Sequence, residues 1–195
     1  MSIPSQMFII CGPGGAGKGS IVSQVVARDP SLWLSRSWTT RSPRPGEPQD
    51  AYCFVTREEF AAKIAAGGFL EFAEIVGELY GTPAPEVPPG ISVILEIDVQ
   101  GAAQVLEKRP AHTHVILILP PSREVQEQRL RSRGDSDAHI ASRLELADTE
   151  EEVGRVLARD VVVNDDLERA VNEVCSIINR YRHDVGPPLV PGRRA

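Results

Sequence analysis

Apolar positions follow two different spacings along the chain. Some runs are apolar at nearly every position, which is typical of strands buried on both faces of a sheet: Met7–Cys11, Ile91–Val99, His114–Leu119 and Val161–Asn164. Elsewhere apolar residues recur every three or four positions, which predicts helices at Ser20–Ala27, Gln100–Glu107, Ser122–Ser132, Ser136–Leu157 and Leu167–Arg182. Strands and helices therefore alternate, and we predict a three-layer α/β fold in which helices cover both faces of a parallel sheet.

The segment at about residues 36–85 interrupts this alternation. Two strand-like stretches, Trp33–Thr40 and Tyr52–Val55, flank a turn rich in proline and glycine. Thr56-Arg57-Glu58-Glu59 then has the pattern of a capping box, which predicts a helix at Phe60–Ala66. We therefore predict a small subdomain inserted into a larger one. The predicted boundaries are one domain at 1–184 and a disordered tail at 185–195. Within the domain we predict a core at about 1–35, 86–130 and 146–184, an insert at about 36–85 and a lid at about 131–145.

A glycine-rich loop, GPGGAGKGS, directly follows the first predicted strand and precedes a predicted helix. In this context backbone N–H groups at the helix N-terminus bind phosphate oxygens, glycines allow positive φ, and the lysine adds a cation. A glycine-rich turn without a ligand is the alternative, but the lysine and the strand–loop–helix order favour a nucleoside triphosphate. The predicted phosphate-binding residues are Gly12, Pro13, Gly14, Gly15, Ala16, Gly17, Lys18, Gly19 and Ser20.

Composition narrows the class of protein. The chain has 195 residues and a formal net charge of −6, which argues against a broad nucleic-acid-binding face. No apolar run approaches the ~20 residues that cross a bilayer, and the first strand begins too early to leave room for a signal peptide. The three cysteines lack metal-like spacing and read as ordinary thiols. We expect a cytoplasmic enzyme with neither nucleic-acid nor membrane partners, and a homo-oligomer is compatible with the sequence.

A second candidate anion site lies in the predicted insert. Arg41 and Arg44 are three residues apart in a turn, and hydroxyl groups at Ser37, Thr39 and Thr40 lie nearby. Two guanidinium groups at this spacing suit a phosphate dianion, and the phenol of Tyr52 could donate a further hydrogen bond. A solvated basic turn is the alternative.

Charged residues elsewhere suggest catalytic electrostatics. Glu96 and Asp98 lie two apart in a predicted strand, so we expect their carboxylates on one face at its C-terminal end, where ligands bind in parallel sheets. There Asp98 could hold magnesium-bound water or orient Lys18; capping of the strand is the alternative. A short polar loop is surrounded by three arginines, Arg129, Arg133 and Arg143. This arrangement predicts a lid that closes over transferring phosphates, and a solvated basic patch is the alternative.

Five ordered motifs resemble those of the guanylate kinase family. They are SRSWTTRSPRPGEPQDAYCFV from Ser35, GGFLEFAEIVGELYGTP from Gly67, VILEIDVQGAAQV from Val93, PPSREVQEQRLRSRG from Pro120 and VVVNDDLERAV from Val161. The resemblance covers nearly all of the chain from Phe8 to Arg182. It implies a P-loop kinase of the nucleoside monophosphate kinase type, with an inserted monophosphate-binding subdomain and a short lid, which transfers the γ-phosphoryl group of ATP to GMP with Mg²⁺.

The resemblance also implies roles for individual residues. It assigns guanine recognition to Glu71, because one carboxylate can accept hydrogen bonds from both N1–H and N2–H₂ of guanine, whereas adenine lacks that pair of donors. The implied GMP-binding set is Ser37, Arg41, Arg44, Glu47, Tyr52, Glu71, Tyr80, Thr82, Glu96 and Asp98. The implied catalytic set is Lys18, Arg41, Arg129, Arg133 and Arg143. ATP is implied to bind the loop from Gly12 to Ser20, with Asn164 and Asp165 beside the adenine, and Mg²⁺ to bind mainly through ATP and water near Ser20 and Asp98.

Three departures from the family pattern stand out. Gly14 replaces a hydroxyl residue in the loop, Phe72 replaces a common Trp or Tyr, and the segment between Glu47 and Tyr52 is one residue shorter and lacks a glycine. The shorter segment bears on whether Tyr52 reaches the phosphate. Two alternatives stay open: a ribose-bisphosphate kinase, which shares the loop and lid, and a non-catalytic protein-binding domain of the same fold. Such domains usually lose the loop lysine, whereas this chain keeps Lys18.

Overall fold

The structure is a computed structural model, and it describes residues 6–183 except Pro45, Glu86, Pro89 and Pro110. The elements are β1 (Met7–Cys11), α1 (Lys18–Arg28), β2 (Leu32–Leu34), β3 (Trp38–Thr39), β4 (Cys53–Phe54), α2 (Arg57–Ala65), β5 (Glu71–Ile75), β6 (Glu78–Thr82), β7 (Ser92–Glu96), α3 (Val99–Lys108), β8 (Thr113–Leu119), α4 (Arg123–Ser132), α5 (Asp137–Leu157), β9 (Asp160–Val163) and α6 (Leu167–His183). The predicted tail at 185–195 lies outside the described residues.

The main sheet has five parallel strands in the order β2-β7-β1-β8-β9. Alternate residues of β1 face opposite sides: Phe8 and Ile10 pack with α1 and α6, whereas Ile9 and Cys11 pack with α3. All of β1 is buried, because helices cover both faces. The predicted three-layer α/β fold is thus confirmed.

Two predicted strands end earlier than the sequence pattern suggested. The stretch Trp33–Thr40 is split: β2 joins the main sheet, and β3 belongs to a second sheet. The predicted strand Ile91–Val99 stops at Glu96, because Asp98 is the N-cap of α3 and its Oδ1 accepts hydrogen bonds from Gln100 N (2.6 Å) and Gly101 N (3.1 Å). The prediction that Glu96 and Asp98 share one strand face was therefore wrong.

The second sheet is formed by the strands β4-β3-β6-β5, all between residues 38 and 82. Its core is aromatic: the Phe60 and Phe69 rings stack with centroids 4.6 Å apart, and Trp38 meets Phe69 edge-on. The predicted capping box is present at Thr56, although the helix begins three residues earlier than predicted. A two-residue turn, Val76-Gly77, joins β5 to β6, and both residues have positive φ.

Helices α4 and α5 meet at a short loop over the main sheet. The loop comprises residues 133–136, and Ser136 caps α5 by accepting a hydrogen bond from His139 N. At its other end α5 packs closely on β8, where a Cβ at Gly154 would lie 2.6 Å from Leu117 Cδ1. Within the described residues, no helix combines the length and the apolar character that a bilayer span requires.

Candidate active site

The loop between β1 and α1 has the geometry of a phosphate-binding loop. Gly12, Gly15 and Gly17 have φ values of 135°, 85° and 91°, which L side chains rarely adopt. At Gly12 a Cβ would also lie 2.1 Å from the Ile118 carbonyl oxygen. Helix α1 follows Gly17 directly and has no acidic residue in its first turn. Its N-terminal amides therefore offer an anion site at the carboxyl edge of the sheet.

The Lys18 side chain curves back over this loop. Its Nζ donates hydrogen bonds to the carbonyl oxygens of Gly12 (2.6 Å) and Pro13 (3.1 Å). Burial lowers the pKa of Lys18, and the negative charges of Glu96 and Glu150 act in the opposite direction. The loop thus holds a cation enclosed between two carboxylates.

Asn164 supports the loop from the end of β9. Its buried Nδ2 donates to the Ala16 carbonyl oxygen at 2.8 Å, and a Cβ at Gly17 would lie 2.3 Å from that nitrogen. Arg129 reaches the same place, since its Nη2 donates to the Asn164 carbonyl oxygen at 2.8 Å. Both residues also line the cleft in front of the loop. In this structure they anchor the loop to β9 and α4.

Arg41 is the centre of a second anion site, on the insert. It is 9% exposed, and its two Nη atoms donate to Glu47 Oε1 and Oε2 at 2.8 Å each. Burial tends to raise the pKa of Glu47, but hydrogen bonds from Arg41 and from the Arg44 amide hold it below its ordinary value. Arg41 Nε is buried and has no hydrogen-bond partner among the described residues. Glu47 therefore fixes the orientation of the Arg41 guanidinium at the wall of the cleft.

Two tyrosines complete this site. The Arg41 guanidinium carbon lies 5.2 Å from the centre of the Tyr52 ring, and the Tyr52 and Tyr80 rings meet edge-on at 6.1 Å. The shortened segment before Tyr52 therefore still brings the tyrosine to the arginine. Arg44 lies on the lid side, with its Nε 3.7 Å from Asp135 Oδ1.

Glu71 provides a buried carboxylate beside the second anion site. It is 2% exposed and pairs in register with Thr82 on β6, whose Oγ1 lies 2.9 Å from Ser37 Oγ. Burial raises the pKa of Glu71 to about 7, although hydrogen bonding from Thr82 partly offsets that effect. A Cβ at Gly101 would lie only 2.4 Å from Glu71 Oε2, so α3 and the insert meet at this carboxylate. Three residues predicted to recognise one base thus lie together.

Glu96 and Asp98 lie between the two anion sites. Burial raises the pKa of Glu96 and the charge of Lys18 opposes the shift; a Cβ at Gly19 would lie 3.4 Å from Glu96 Oε1. Glu96 therefore faces the phosphate-binding loop, whereas Asp98 caps α3 near Glu71. Their separation gives the two acids different surroundings, contrary to the paired arrangement that the sequence predicted.

One cleft connects all of these groups. Its volume is about 1060 Å³, at the upper end of the usual range for small-molecule sites, and it extends from the phosphate-binding loop to the insert. Its lining includes Lys18, Arg41, Glu71, Glu96 and Arg143. The cleft can therefore hold two ligands that meet between the two anion sites.

Comparisons with known proteins agree with this geometry. The family model described as "Guanylate kinase" matches residues 4–181. The chain belongs to the guanylate kinase family. It is 49% identical to a guanylate kinase of Thermosynechococcus vestitus over 175 residues, covering 86% of this chain and 90% of that protein, and 45% identical to one of Xanthomonas oryzae pv. oryzae over 183 residues, covering 90% and 89%.

A solved structure is similar as well. The crystal structure of guanylate kinase from Anaplasma phagocytophilum aligns with a TM-score of 0.77 at 28% identity, covering 94% of this chain and 89% of that one. The recognition of a guanylate kinase from the five motifs is thereby confirmed, as is the P-loop kinase fold.

In this guanylate kinase family member, the segment predicted as a lid contains a counter-charge that the sequence analysis did not identify. Asp135 accepts a hydrogen bond from Arg133 Nη2 at 2.5 Å. Arg143 is 8% exposed and lies over the loop, where a Cβ at Gly14 would be 3.2 Å from Arg143 Cδ. The glycine at position 14 thus leaves room for the arginine.

Two further residues of the cleft region were not predicted. Gln126 is fully buried and its Nε2 donates to the Gly14 carbonyl oxygen at 2.6 Å. Glu150 lines the cleft from α5. The spacing contained a signal for each: Gln126 lies three residues before Arg129 on α4, and Glu150 lies seven residues after Arg143 on α5, so each shares a helix face with a predicted arginine.

Proposed function

We infer that the chain is a guanylate kinase that transfers the γ-phosphoryl group of ATP to GMP and produces ADP and GDP. The observation that carries this inference is the buried Glu71 carboxylate, which opens into the same cleft as the phosphate-binding loop. A carboxylate there accepts from guanine N1–H and N2–H₂, and Ser37 and Thr82 lie beside it to contact the base. Adenine would leave the carboxylate buried without a donor, which is unfavourable.

We propose that Arg41, Arg44, Tyr52 and Tyr80 bind the acceptor phosphate. All four side chains line the cleft, and Glu47 holds the Arg41 guanidinium in place through both of its Nη atoms. Glu96, between this site and Lys18, is proposed to organise the space where the two phosphates meet. The acceptor phosphate carries its own ionised oxygen nucleophile, so the enzyme needs no general base.

We propose that the loop from Gly12 to Ser20 binds the phosphates of ATP, and that Asn164 and Asp165 border its adenine. Lys18 leaves the loop carbonyls to contact the β- and γ-phosphates. Arg129, Arg133 and Arg143 neutralise charge that develops on the transferring group, while the closed insert and lid exclude water. The chemistry is then positioning and charge neutralisation.

We propose Mg²⁺ as the cofactor. The described residues contain no cluster of three or more His, Cys, Asp or Glu side chains able to hold a metal alone. Ser20 and Asp98 both line the cleft, and their oxygen atoms fit an ion held mainly by ATP and water. When bound, Mg²⁺ would neutralise phosphate charge. We also propose a cytoplasmic location and no nucleic-acid partner, in line with the net charge of −6 and the free cysteines Cys11, Cys53 and Cys175.

A coupled assay of ADP formation tests the function. With ATP and Mg²⁺, GMP should be phosphorylated and AMP and ribose bisphosphate should not. Glu71→Gln should lower kcat/KM for GMP by about 10²–10⁴, since charge-assisted hydrogen bonds contribute ~1.5–3 kcal/mol each and the amide can replace only part of them. Equal use of AMP and GMP by the unmodified enzyme would refute guanine recognition, and no turnover with any acceptor would favour a protein-binding role.

A further inference from the structure

Helix α5 carries two opposite charges on its inward face. The buried residues of this helix are Ile140, Arg143, Ala147 and Gly154, at intervals of three, four and seven positions. Glu150 fits the same series, three residues after Ala147 and four before Gly154. Residues at this spacing lie on one face of a helix. Arg143 and Glu150 therefore both point from α5 toward the phosphate-binding loop.

The surroundings of Glu150 are unfavourable for a purely structural acid. Its Oε2 atom is buried and has no hydrogen-bond partner within the described part of the chain. Burial raises the pKa of Glu150 and the charge of Asp98 adds to that shift, while the charges of Lys18 and Arg143 and a hydrogen bond from the Gly14 backbone N–H act against it. An unpaired buried carboxylate oxygen destabilises a protein, and a negative charge beside bound polyphosphate opposes binding. The Gly14 N–H and the two cations offset part of this cost, which indicates that Glu150 is placed here for its interaction with the cations.

Arg143 has little else to hold it. Arg41 and Arg133 each have a carboxylate within 4.0 Å of the guanidinium group. Among the described residues, Arg143 has none. Its Nε contacts His139 Nε2 at 3.3 Å, and its side chain lies against Gly14. The nearby negative charge of Glu150 attracts the guanidinium without occupying its donors, because the two groups interact at longer range.

On these grounds we propose that Glu150 is a positioning residue for phosphoryl transfer, which aligns Arg143 and, through its charge, Lys18 over the phosphate-binding loop. This proposal rests on the proposed kinase function. The carboxylate acts on the cations and does not contact the substrate. It keeps the donors of Arg143 directed at the loop, so that they meet the transferring group without first reorienting.

Steady-state kinetics of Glu150→Gln test the proposal, because glutamine has the same shape without the charge. We expect kcat to fall about tenfold while KM for ATP stays equal or decreases, since the site becomes more positive. The melting temperature should change little, because removal of a buried charge offsets the loss of its attraction to Lys18 and Arg143. Glu151→Gln is the matched control: this neighbour is partly exposed, pairs with Arg155 and should leave kcat unchanged. Glu150→Asp keeps the charge and should retain more activity than Glu150→Gln.

A double-mutant cycle shows whether Glu150 acts through Arg143. In an Arg143→Ala background, Glu150→Gln should lower kcat less than twofold. A tenfold loss in that background, an unchanged kcat in the single variant, or a raised KM with a lower melting temperature would each overturn the proposal. Turnover of GMP by the unmodified enzyme is measured first; its absence would count against the kinase function itself rather than against the role of Glu150.

Discussion

Substitution of Gly101 by alanine should damage guanine recognition while leaving the fold intact. The new Cβ would lie 2.4 Å from Glu71 Oε2 and 2.9 Å from its Cδ. Ordinary contact needs at least 3.4 Å, so the carboxylate must move by about 1 Å. A misplacement of about 1 Å at a recognition group can reduce turnover ~10²-fold. We therefore expect kcat/KM for GMP to fall about 10²-fold, equivalent to ~2.7 kcal/mol.

The same substitution should not weaken the fold by a comparable amount. Alanine favours a helix over glycine by about 1 kcal/mol, and Gly101 lies in the first turn of α3. Thermal melting tests the stability, and steady-state kinetics with varied GMP and varied ATP test the activity. The KM for ATP should be unchanged. In a Glu71→Gln background the alanine should have a much smaller effect on GMP use. An unchanged kcat/KM for GMP, or an equal loss in ATP affinity, would refute the proposed contact.

Other predictions concern the remaining parts of the cleft and the insert. Glu71→Gln should be more stable than the parent at pH 8 by up to roughly 3 kcal/mol, because the pKa of Glu71 is raised from 4.5 to about 7 in the folded state. The ionised carboxylate lowers the free energy of unfolding fully above pH 7, and this loss becomes smaller as the pH falls. Urea unfolding at pH 4 should therefore show no difference between the two proteins. Lys18→Ala should lower kcat at least ~10²-fold in a folded protein, and near-normal turnover would contradict its role. Arg41→Ala and Arg44→Ala should weaken GMP binding but not ATP binding in calorimetry, whereas the reverse result would mean that the two sites are interchanged. Val76→Asn should raise stability by roughly 0.5–1 kcal/mol in denaturant unfolding, because valine there has a φ of 49° that asparagine tolerates better; a loss of stability would contradict this.

The parts of the fold that were predictable depend on local chemistry. The three glycines at positive φ in the loop were identified because no other residue suits that backbone, and the lysine beside them fixed the ligand class. The apolar runs of β1 and β8 were equally clear, since both faces of these strands are buried. Guanine recognition by Glu71 was accessible only through the family resemblance, because an acid beside phenylalanines has no local signature of its own.

The parts that were missed depend on contacts between distant segments. Asp98 looked like a strand residue until its side chain was seen to cap α3, and a strand followed at once by a helix gives no break in apolar pattern. The split of Trp33–Thr40 between two sheets follows from pairing with β7 and β6, which lie about sixty and about forty residues later. Asp135 and Glu150 were not predicted as site residues, because only the fold brings Asp135 to within 3.7 Å of Arg44 on the insert and places Glu150 near Lys18.

Helix α5 is uninterrupted over 21 residues, so a small rotation near one end would displace the other end by a larger distance. Gly154, pressed against Leu117, is the natural pivot, and at 1.5 Å of rise per residue Arg143 lies about 16 Å from it but Glu150 only about 6 Å. A tilt of about 5° about Gly154 would therefore carry Arg143 roughly 1.4 Å and Glu150 roughly 0.5 Å. A small adjustment in the packing of this one glycine would therefore displace Arg143 about three times as far as it displaces Glu150.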